Sequence, residues 1–195
     1  MSDGTSVNRL TSLAKFETSI EPTLDGEFSW SPETYHFSGT YGGQTFSVDF
    51  EYGYDRPNGF RANQTVFEPE TICIYHMGVS EGHGLGSAVL ASLIEHAREK
   101  GFHAARMGII NPRVIGVVSK LQRFGIIESS CFRLVQGEDI MPEPATSEMM
   151  NGPDVLTAEE ASTLFTPLEA ELTARKMSGE EIGDESAFVD CAIFF

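Results

Sequence analysis

The stretch Ile72-Cys-Ile-Tyr-His-Met-Gly-Val-Ser-Glu-Gly-His-Gly-Leu-Gly-Ser-Ala-Val-Leu90 decides the fold of this chain. An apolar run reaches Val79, the glycine-rich turn Glu81-Gly-His-Gly-Leu-Gly86 follows, and an amphipathic segment begins immediately after it. Glycines let backbone N–H groups approach a ligand closely, and the N-terminus of a helix carries partial positive charge. A strand, a glycine turn and a helix in this order therefore predict a site for a phosphate or pyrophosphate.

The residues after this turn predict a parallel βαβ unit. Apolar residues recur at helical spacing from about residue 87 to 100, and Gly101 stands where a helix C-cap residue belongs. The apolar run 104–110 follows as a second strand, and a further helix over residues 113–124 is preceded by Pro112. Because a strand–helix–strand crossover is almost always right-handed, we expect the two strands to be parallel members of one sheet.

The sequence before the turn has a different periodicity. Residues 5–17 have a short helical stripe, whereas residues 27–68 alternate polar and apolar side chains. The alternation is clearest at Thr45-Phe-Ser-Val-Asp-Phe50, and glycine-containing turns separate three or four such segments. This part of the chain therefore predicts an antiparallel meander.

The last third of the chain predicts strands that flank a helical insertion. The run 131–135 is apolar, and two segments, Thr157-Ala-Glu-Glu160 and Thr166-Pro-Leu-Glu169, each have the sequence of a capping box. They predict two short helices that separate near Pro167. The run 187–195 is apolar enough to form a buried strand of the sheet.

These elements together predict a single α+β domain over residues 1–195, with one mixed sheet of about seven strands and flanking helices. The N-terminal helix and the meander would occupy residues 1–70, and the anion-binding core would occupy residues 71–127. Residues 128–195 would supply the remaining strands and the acidic helical insertion. The sequence contains no internal repeat and no pattern typical of an interdomain linker.

The composition and charge of the chain restrict its functional class. It contains 29 Asp and Glu against 13 Lys and Arg, and the net charge of −16 argues against binding to a nucleic-acid backbone. No apolar run approaches the roughly 20 residues of a membrane span, and the N-terminus has no secretory signal pattern. Three widely spaced cysteines in apolar surroundings favour free thiols in a cytoplasmic protein.

The acidic residues are concentrated toward the end of the sequence. Residues 126–195 contain 15 Asp and Glu against 3 Lys and Arg. A surface of this kind attracts a cationic substrate or a basic protein partner, and binding to it weakens with salt. The same bias is also typical of a surface that serves only solubility, and the sequence leaves both interpretations open.

The order of these elements, together with three short motifs, resembles the GNAT acetyltransferase family. The phosphate-binding signature of that family is Gln/Arg-x-x-Gly-x-Gly/Ala at a helix start, and Glu81, Gly84 and Gly86 occupy the matching positions. A second family feature is an Asn after the next strand, which Asn111 matches. A third is a helix that ends in Tyr-x-x-x-Gly, and residues 121–125 occupy those positions.

The resemblance implies an acyltransferase that moves an acetyl group from its co-substrate acetyl-coenzyme A to an amine. In that family the sheet splays between the two parallel strands, and the pantetheine of acetyl-coenzyme A lies in the gap like an additional strand. The implied cofactor-binding residues belong to the first parallel strand, the glycine turn and the end of the second strand: Met77, Gly78, Val79, Gly82, His83, Gly84, Leu85, Gly86, Ser87 and Asn111. The resemblance implies no metal.

His76 and Tyr75 are the candidate catalytic residues. They lie on the strand beside the expected gap, and strict strand alternation would place them on opposite faces. An imidazole titrates near neutral pH, so His76 is a candidate general base, and Tyr75 is a candidate proton donor to the departing thiolate. Both residue types also occur in such places as structural side chains. The spacing of His76, Glu81 and His83 does not match a compact metal site.

Three differences from the family pattern support an alternative function. Glu81 stands where the family has Gln or Arg beside the phosphates, and Leu121 stands where a Tyr usually donates a proton. The segment from Asn111 to Gly125 is also longer than usual. The alternative is a catalytically inactive protein of the same fold that serves as a protein-interaction or structural component of an assembly.

Overall fold

The computed structural model describes residues 18–23, 34–41, 44–53, 71–79, 84–136, 154–179 and 187–195. The predicted helix over residues 5–17 lies outside these ranges. The strands are β1 (Thr18–Thr23), β2 (Thr34–Tyr41), β3 (Gln44–Gly53), β4 (Thr71–Val79), β5 (Ala104–Ile109), β6 (Ser129–Gln136) and β7 (Ala187–Phe194). The helices are α1 (Leu85–Glu99), α2 (Arg113–Arg123) and α3 (Ala158–Met177).

The described strands form one mixed sheet. Their order is β1-β2-β3-β4-β5-β7-β6. β4 and β5 are parallel, and the other neighbouring pairs are antiparallel. The prediction of a mixed α+β sheet is therefore confirmed, together with the parallel unit that surrounds α1.

β7 is an interior strand of this sheet. It pairs with β5 on one side and with β6 on the other, although both strands precede it in the chain. The side chains of Val189, Cys191 and Ile193 are fully buried. The prediction that residues 187–195 return to the sheet as a buried strand is confirmed.

The strands β2, β3 and β4 form an antiparallel meander, and the side chains of β3 alternate between its two faces. In β3 the side chains of Phe46, Val48 and Phe50 are buried, whereas those of Ser47 and Asp49 are partly exposed. Paired residues of neighbouring strands share a face, so the apolar residues of the three strands form one continuous core surface. The polar residues of the same strands lie on the opposite face of the sheet.

The helix α1 contributes an apolar stripe to this core. Its side chains Val89, Leu93 and Ala97 are almost completely buried, and burial of one Val or Leu side chain stabilises a fold by about 1.5–3 kcal/mol. The helix ends at Glu99. Gly101 has a φ of 86°, the left-handed conformation that the C-cap prediction requires.

The helix α3 differs from its prediction because it is one helix rather than two. The first capping box is present, since Thr157 Oγ1 accepts a hydrogen bond from the Glu160 N–H and the Glu160 carboxylate accepts one from the Thr157 N–H. The second signal, at Thr166, lies inside a helix that continues through Pro167 to Met177. Pro167 is exposed, so the carbonyl one turn earlier can bond to water and the helix is not broken.

Only the first half of α3 packs into the core. Ala161 and Phe165 are fully buried, and no residue of this helix beyond Phe165 is buried. Leu164, which precedes Phe165, is 50% exposed. The second half of α3 is therefore largely open to solvent.

Candidate functional site

The parallel strands β4 and β5 separate before either of them ends. Their ladder stops at the pair of Ile74 and Met107. β4 continues to Val79 and stays paired with β3, whereas β5 continues to Ile109 and pairs there with β7. The two strands therefore diverge. Among the described residues, no strand lies beside residues 77–79 on the β5 side.

A β-bulge in β4 lies at the point of divergence. Phe50 of β3 opposes Ile74, and Asp49 opposes His76, so Tyr75 is an additional residue on the β4 side. The side chains of Tyr75 and His76 are both exposed. The prediction that these two side chains lie on opposite faces assumed a regular strand, and the bulge removes that assumption. Bulges of this kind are frequent beside active sites because they redirect side chains.

The helix α1 begins at the C-terminal end of β4, and Gly84 precedes its first residue. The φ of Gly84 is 76°, a conformation that residues with a Cβ rarely adopt. Leu85 and Ser87 are buried, and Gly86 is half-buried. The remaining members of the predicted turn lie outside the described residues: Glu81, Gly82 and His83. The described part of the turn thus has the backbone conformation that needs glycine.

A lysine that the sequence analysis did not identify lies beside the start of α1. The Nζ atom of Lys120, on α2, is 3.8 Å from the position that a Cβ on Gly84 would occupy. The partial positive charge of the helix N-terminus and a lysine ammonium therefore lie close together, and both attract an anion. No sequence signal identifies Lys120, because its position depends on how α1 and α2 pack together.

Asn111 and Leu121, two positions of the family pattern, have structural contacts. Oδ1 of Asn111 accepts a hydrogen bond of 3.0 Å from the backbone N–H of Arg113 at the start of α2. Leu121 is fully buried in the main core. Leu121 occupies the position of the proton-donating Tyr in the family pattern, and here this position is part of the core. Asn111, in contrast, is exposed next to the end of β5.

A row of three polar side chains crosses the face of the sheet opposite the core. His36 on β2, Asp49 on β3 and His76 on β4 are direct cross-strand neighbours, and we call them the polar row. Nδ1 of His36 lies 2.6 Å from Oδ1 of Asp49, and the two side chains are 36% and 34% exposed. A carboxylate that accepts from Nδ1 fixes the orientation of the ring and leaves Nε2 of the neutral imidazole as an acceptor.

Gly78 provides the space that the His76 ring occupies. A Cβ on Gly78 would lie 3.0 Å from Nε2 of His76 and 3.2 Å from Oγ of Ser47. Both distances are shorter than ordinary carbon contacts, so any larger residue would displace the imidazole or the hydroxyl. This predicted cofactor residue therefore also determines where the candidate base lies.

An open cleft of about 590 Å³ lies near the connection between β2 and β3 and reaches the end of β4. Hydroxyl side chains and glycines make up most of its described lining. The lining residues are His36, Ser38, Gly39, Thr40, Thr45, Phe46, Ser47, Gly78 and Val79. The cleft therefore joins one end of the polar row to the segment of β4 that diverges from β5.

The cysteines are free thiols, as the sequence predicts. Burial is the main cause that raises the pKa of the Cys131 thiol, and it raises the pKa of Cys191 well above its ordinary value. A thiol must lose its proton to act as a nucleophile, so Cys131 and Cys191 are unsuited to covalent catalysis.

The described residues contain no group of three or more His, Cys, Asp or Glu side chains that is arranged to hold a metal ion. None of the helices in the same part of the chain has the length and apolar character needed to span a membrane.

Comparison of the sequence with protein-family models gives no match, and comparison with curated proteins gives none either.

Proposed function

We propose that the protein is a GNAT-like N-acyltransferase that moves an acetyl group from acetyl-coenzyme A to an amine. The observation that carries this proposal is the divergence of β4 and β5 beside a β-bulge. The backbone groups of residues 77–79 on the side away from β3 offer hydrogen bonds to an extended ligand, as they would to an additional strand. Pantetheine fits this role because it is a linear chain that contains amide groups.

The start of α1 supports binding of the phosphates of the same molecule. Backbone N–H groups at a helix N-terminus bind phosphate, and Gly84 and Gly86 allow a close approach. Lys120 adds a full positive charge at this point of a protein whose net charge is −16. A pyrophosphate would therefore interact with the first turn of α1 and with the Lys120 ammonium.

Acetyl transfer requires positioning and a balanced set of proton movements. The attacking ammonium loses one proton, its nitrogen bonds to the acetyl carbon and gives up a second proton as the amide forms, and the carbon–sulfur bond breaks to release a thiolate that takes up a proton. His76 is the proposed proton acceptor because it is exposed at the bulge and Gly78 leaves room for its ring. Tyr75, which is 56% exposed beside it, is the proposed proton donor to the thiolate.

Isothermal titration of the full chain with coenzyme A tests the binding step. We expect saturable binding that weakens as salt rises, because phosphates supply part of the affinity. Pantetheine should bind more weakly and with less salt dependence. No detectable heat at millimolar coenzyme A contradicts the proposal.

Release of free thiol from acetyl-coenzyme A in the presence of amines then tests the transfer. Free thiols are compatible with the cytoplasmic location that we propose for this reaction.

A role as an inactive component of an assembly is the second candidate, and the surface of α3 favours it. Leu164 is 50% exposed on this helix, and the exposed side chains of Glu160 and Glu171 lie on the same helix face, one turn before it and two turns after it. A basic protein partner would pair its charge with these carboxylates and cover the Leu164 side chain. Co-purification of a basic protein that dissociates at high salt, from a chain that does not bind coenzyme A, would favour this function.

A further inference from the structure

We infer that the acceptor binds on the polar face of β2, β3 and β4, and that it is an amine that carries hydroxyl groups. The site is the open cleft together with the polar row beside it. This inference rests on the proposed function, since it treats His76 as the residue that takes the proton from the amine. It adds the place from which the amine approaches and the chemical class of the acceptor.

The cleft lies where an acceptor can reach the proposed thioester. Gly78 and Val79 line it, and the same residues belong to the segment of β4 that diverges from β5. From this end the cleft extends to His36 on β2. Neighbouring strands are about 4.8 Å apart, so an acceptor whose nitrogen lies near His76 would have its other end at His36, about 10 Å away.

The lining of the cleft selects for hydroxyl groups rather than for charge. Ser38, Thr40 and Ser47 present hydroxyl side chains, each of which can donate and accept a hydrogen bond. The described lining of the cleft contains no carboxylate, Lys or Arg. The carboxylate of the polar row, Asp49, is hydrogen-bonded to His36. A purely alkyl amine would remove water from these hydroxyls without replacing its hydrogen bonds, and this loss is unfavourable. An amine with several hydroxyl groups replaces them.

The His36–Asp49 pair acts as a positioning element at the far end of the cleft. The 2.6 Å bond from Nδ1 to Oδ1 fixes the ring, so that Nε2 can accept a hydrogen bond from a ligand hydroxyl. Asp49→Asn would keep the shape of the side chain but remove the charge that orients the ring. Its effect should therefore fall on acceptor binding and not on binding of coenzyme A.

Steady-state kinetics with D-glucosamine as the probe tests the inference, and cyclohexylamine serves as a ring amine without hydroxyls. We expect the wild-type protein to release thiol from acetyl-coenzyme A with a lower KM for glucosamine than for cyclohexylamine. Asp49→Asn and Thr40→Val should each raise the KM for glucosamine about tenfold and change kcat less. Thr173→Val, which removes an exposed hydroxyl of α3, should leave both constants unchanged. Equal KM values for the two amines, or an unchanged KM for glucosamine in both Asp49→Asn and Thr40→Val, overturn the inference.

A binding measurement without coenzyme A keeps the two proposals separable. The ring signals of His36 in carbon–proton NMR spectra should shift during titration with glucosamine, and this response should be smaller in Asp49→Asn. If coenzyme A binds but glucosamine neither reacts nor shifts His36, the acceptor inference fails and the proposed function stands. If coenzyme A does not bind and glucosamine still shifts His36, the proposed function fails and the hydroxyl-binding cleft stands.

Discussion

Arg106 donates two hydrogen bonds to the Asp190 carboxylate, at 2.9 and 2.6 Å, across the β5–β7 ladder. The side chains of the two residues are only 8% and 1% exposed. Arg133 of β6 lies 3.5 Å from the same carboxylate, so Asp190 links three neighbouring strands. These contacts hold β5 against β7 at the level where β4 diverges from it. They therefore support one wall of the proposed pantetheine gap.

Arg106→Met should destabilise the fold by about 3–5 kcal/mol, because it leaves the buried Asp190 carboxylate without its closest partner. The double variant Arg106→Met/Asp190→Leu should be less destabilised, since it removes both charges and keeps apolar volume. Unfolding in urea measures both free energies. A double variant that is as unstable as the single one would show that the pair acts through its shape rather than its charge.

Gly86→Asp should abolish binding of coenzyme A and leave the chain folded. A Cβ at Gly86 meets only Val117 Cγ2 at 3.8 Å, an ordinary contact, whereas the new carboxylate would repel a pyrophosphate at the start of α1. Gly84 is a poorer test because its φ of 76° makes any substitution strained. Calorimetric titration measures the affinity. The matched control is Gly116→Asp on α2, where a Cβ has no neighbour within 4 Å, and it should bind normally.

Lys120→Glu should raise the Kd for coenzyme A about tenfold or more, because the ammonium near Gly84 becomes a carboxylate. Arg123→Glu makes the same change in charge at an exposed position of α2 and controls for the effect of net charge on the electrostatic field of the protein. The Kd for pantetheine, which lacks the phosphates, should not change in either variant. Equal effects of Lys120→Glu and Arg123→Glu on coenzyme A would show that Lys120 does not contact the ligand.

Phe165→Ala should destabilise the protein by about 3–5 kcal/mol, because it opens a cavity at a fully buried position of α3. Leu164→Ala removes the adjacent side chain, which is 50% exposed, and should change the free energy of unfolding by less than about 0.5 kcal/mol. Chemical denaturation measures both values. Similar values for the two variants would show that α3 is not docked through Phe165.

His96 should make the stability of the fold depend on pH. Burial is the largest cause that lowers its pKa, and the nearby Lys100 ammonium lowers it further. The Tyr52 hydroxyl lies 2.7 Å from Nε2, within hydrogen-bond distance. The folded state therefore binds fewer protons than the unfolded state, whose histidine titrates at about pH 6.5. The stabilisation is complete above that pH and is lost as the pH falls toward the lowered folded-state pKa.

His96→Gln keeps an acceptor for Tyr52 and removes this titration. Its urea midpoint should fall less than that of the wild type between pH 7.5 and pH 5. The control is His103→Gln, which removes another imidazole at an exposed position. Identical slopes for wild type and His96→Gln would assign the pH dependence to other groups.

Local patterns in the sequence predict those strands and helices whose structure depends on the side chains of the same segment. The alternation at residues 45–50 gives β3 its buried and polar faces, and the helical stripe after the glycine turn gives α1. Pro167 is different, since its capping signal is overridden by a helix that is already formed and exposed at that point. A local signal indicates what a segment favours, whereas the surrounding structure decides whether that preference is used.

The candidate site could be predicted only where one continuous segment contains it. Gly78 and Gly84 follow from the strand–turn–helix pattern; close neighbours explain the need for glycine at Gly78, and a φ of 76° explains it at Gly84. The polar row was missed because His36 and Asp49 become neighbours of His76 only through strand register. Register depends on a bulge that no pattern in the sequence marks, and Lys120 depends in the same way on helix packing.

The interior position of β7 sets an order of events during synthesis. β5 and β6 leave the ribosome before β7 does, and neither can complete its pairing in the sheet until β7 arrives between them. During that interval Asp190 is not yet available to Arg106, and the facing edges of both strands stay open to other chains. β5, which later supports one wall of the proposed pantetheine gap, is thus open to misassembly until β7 has been synthesised.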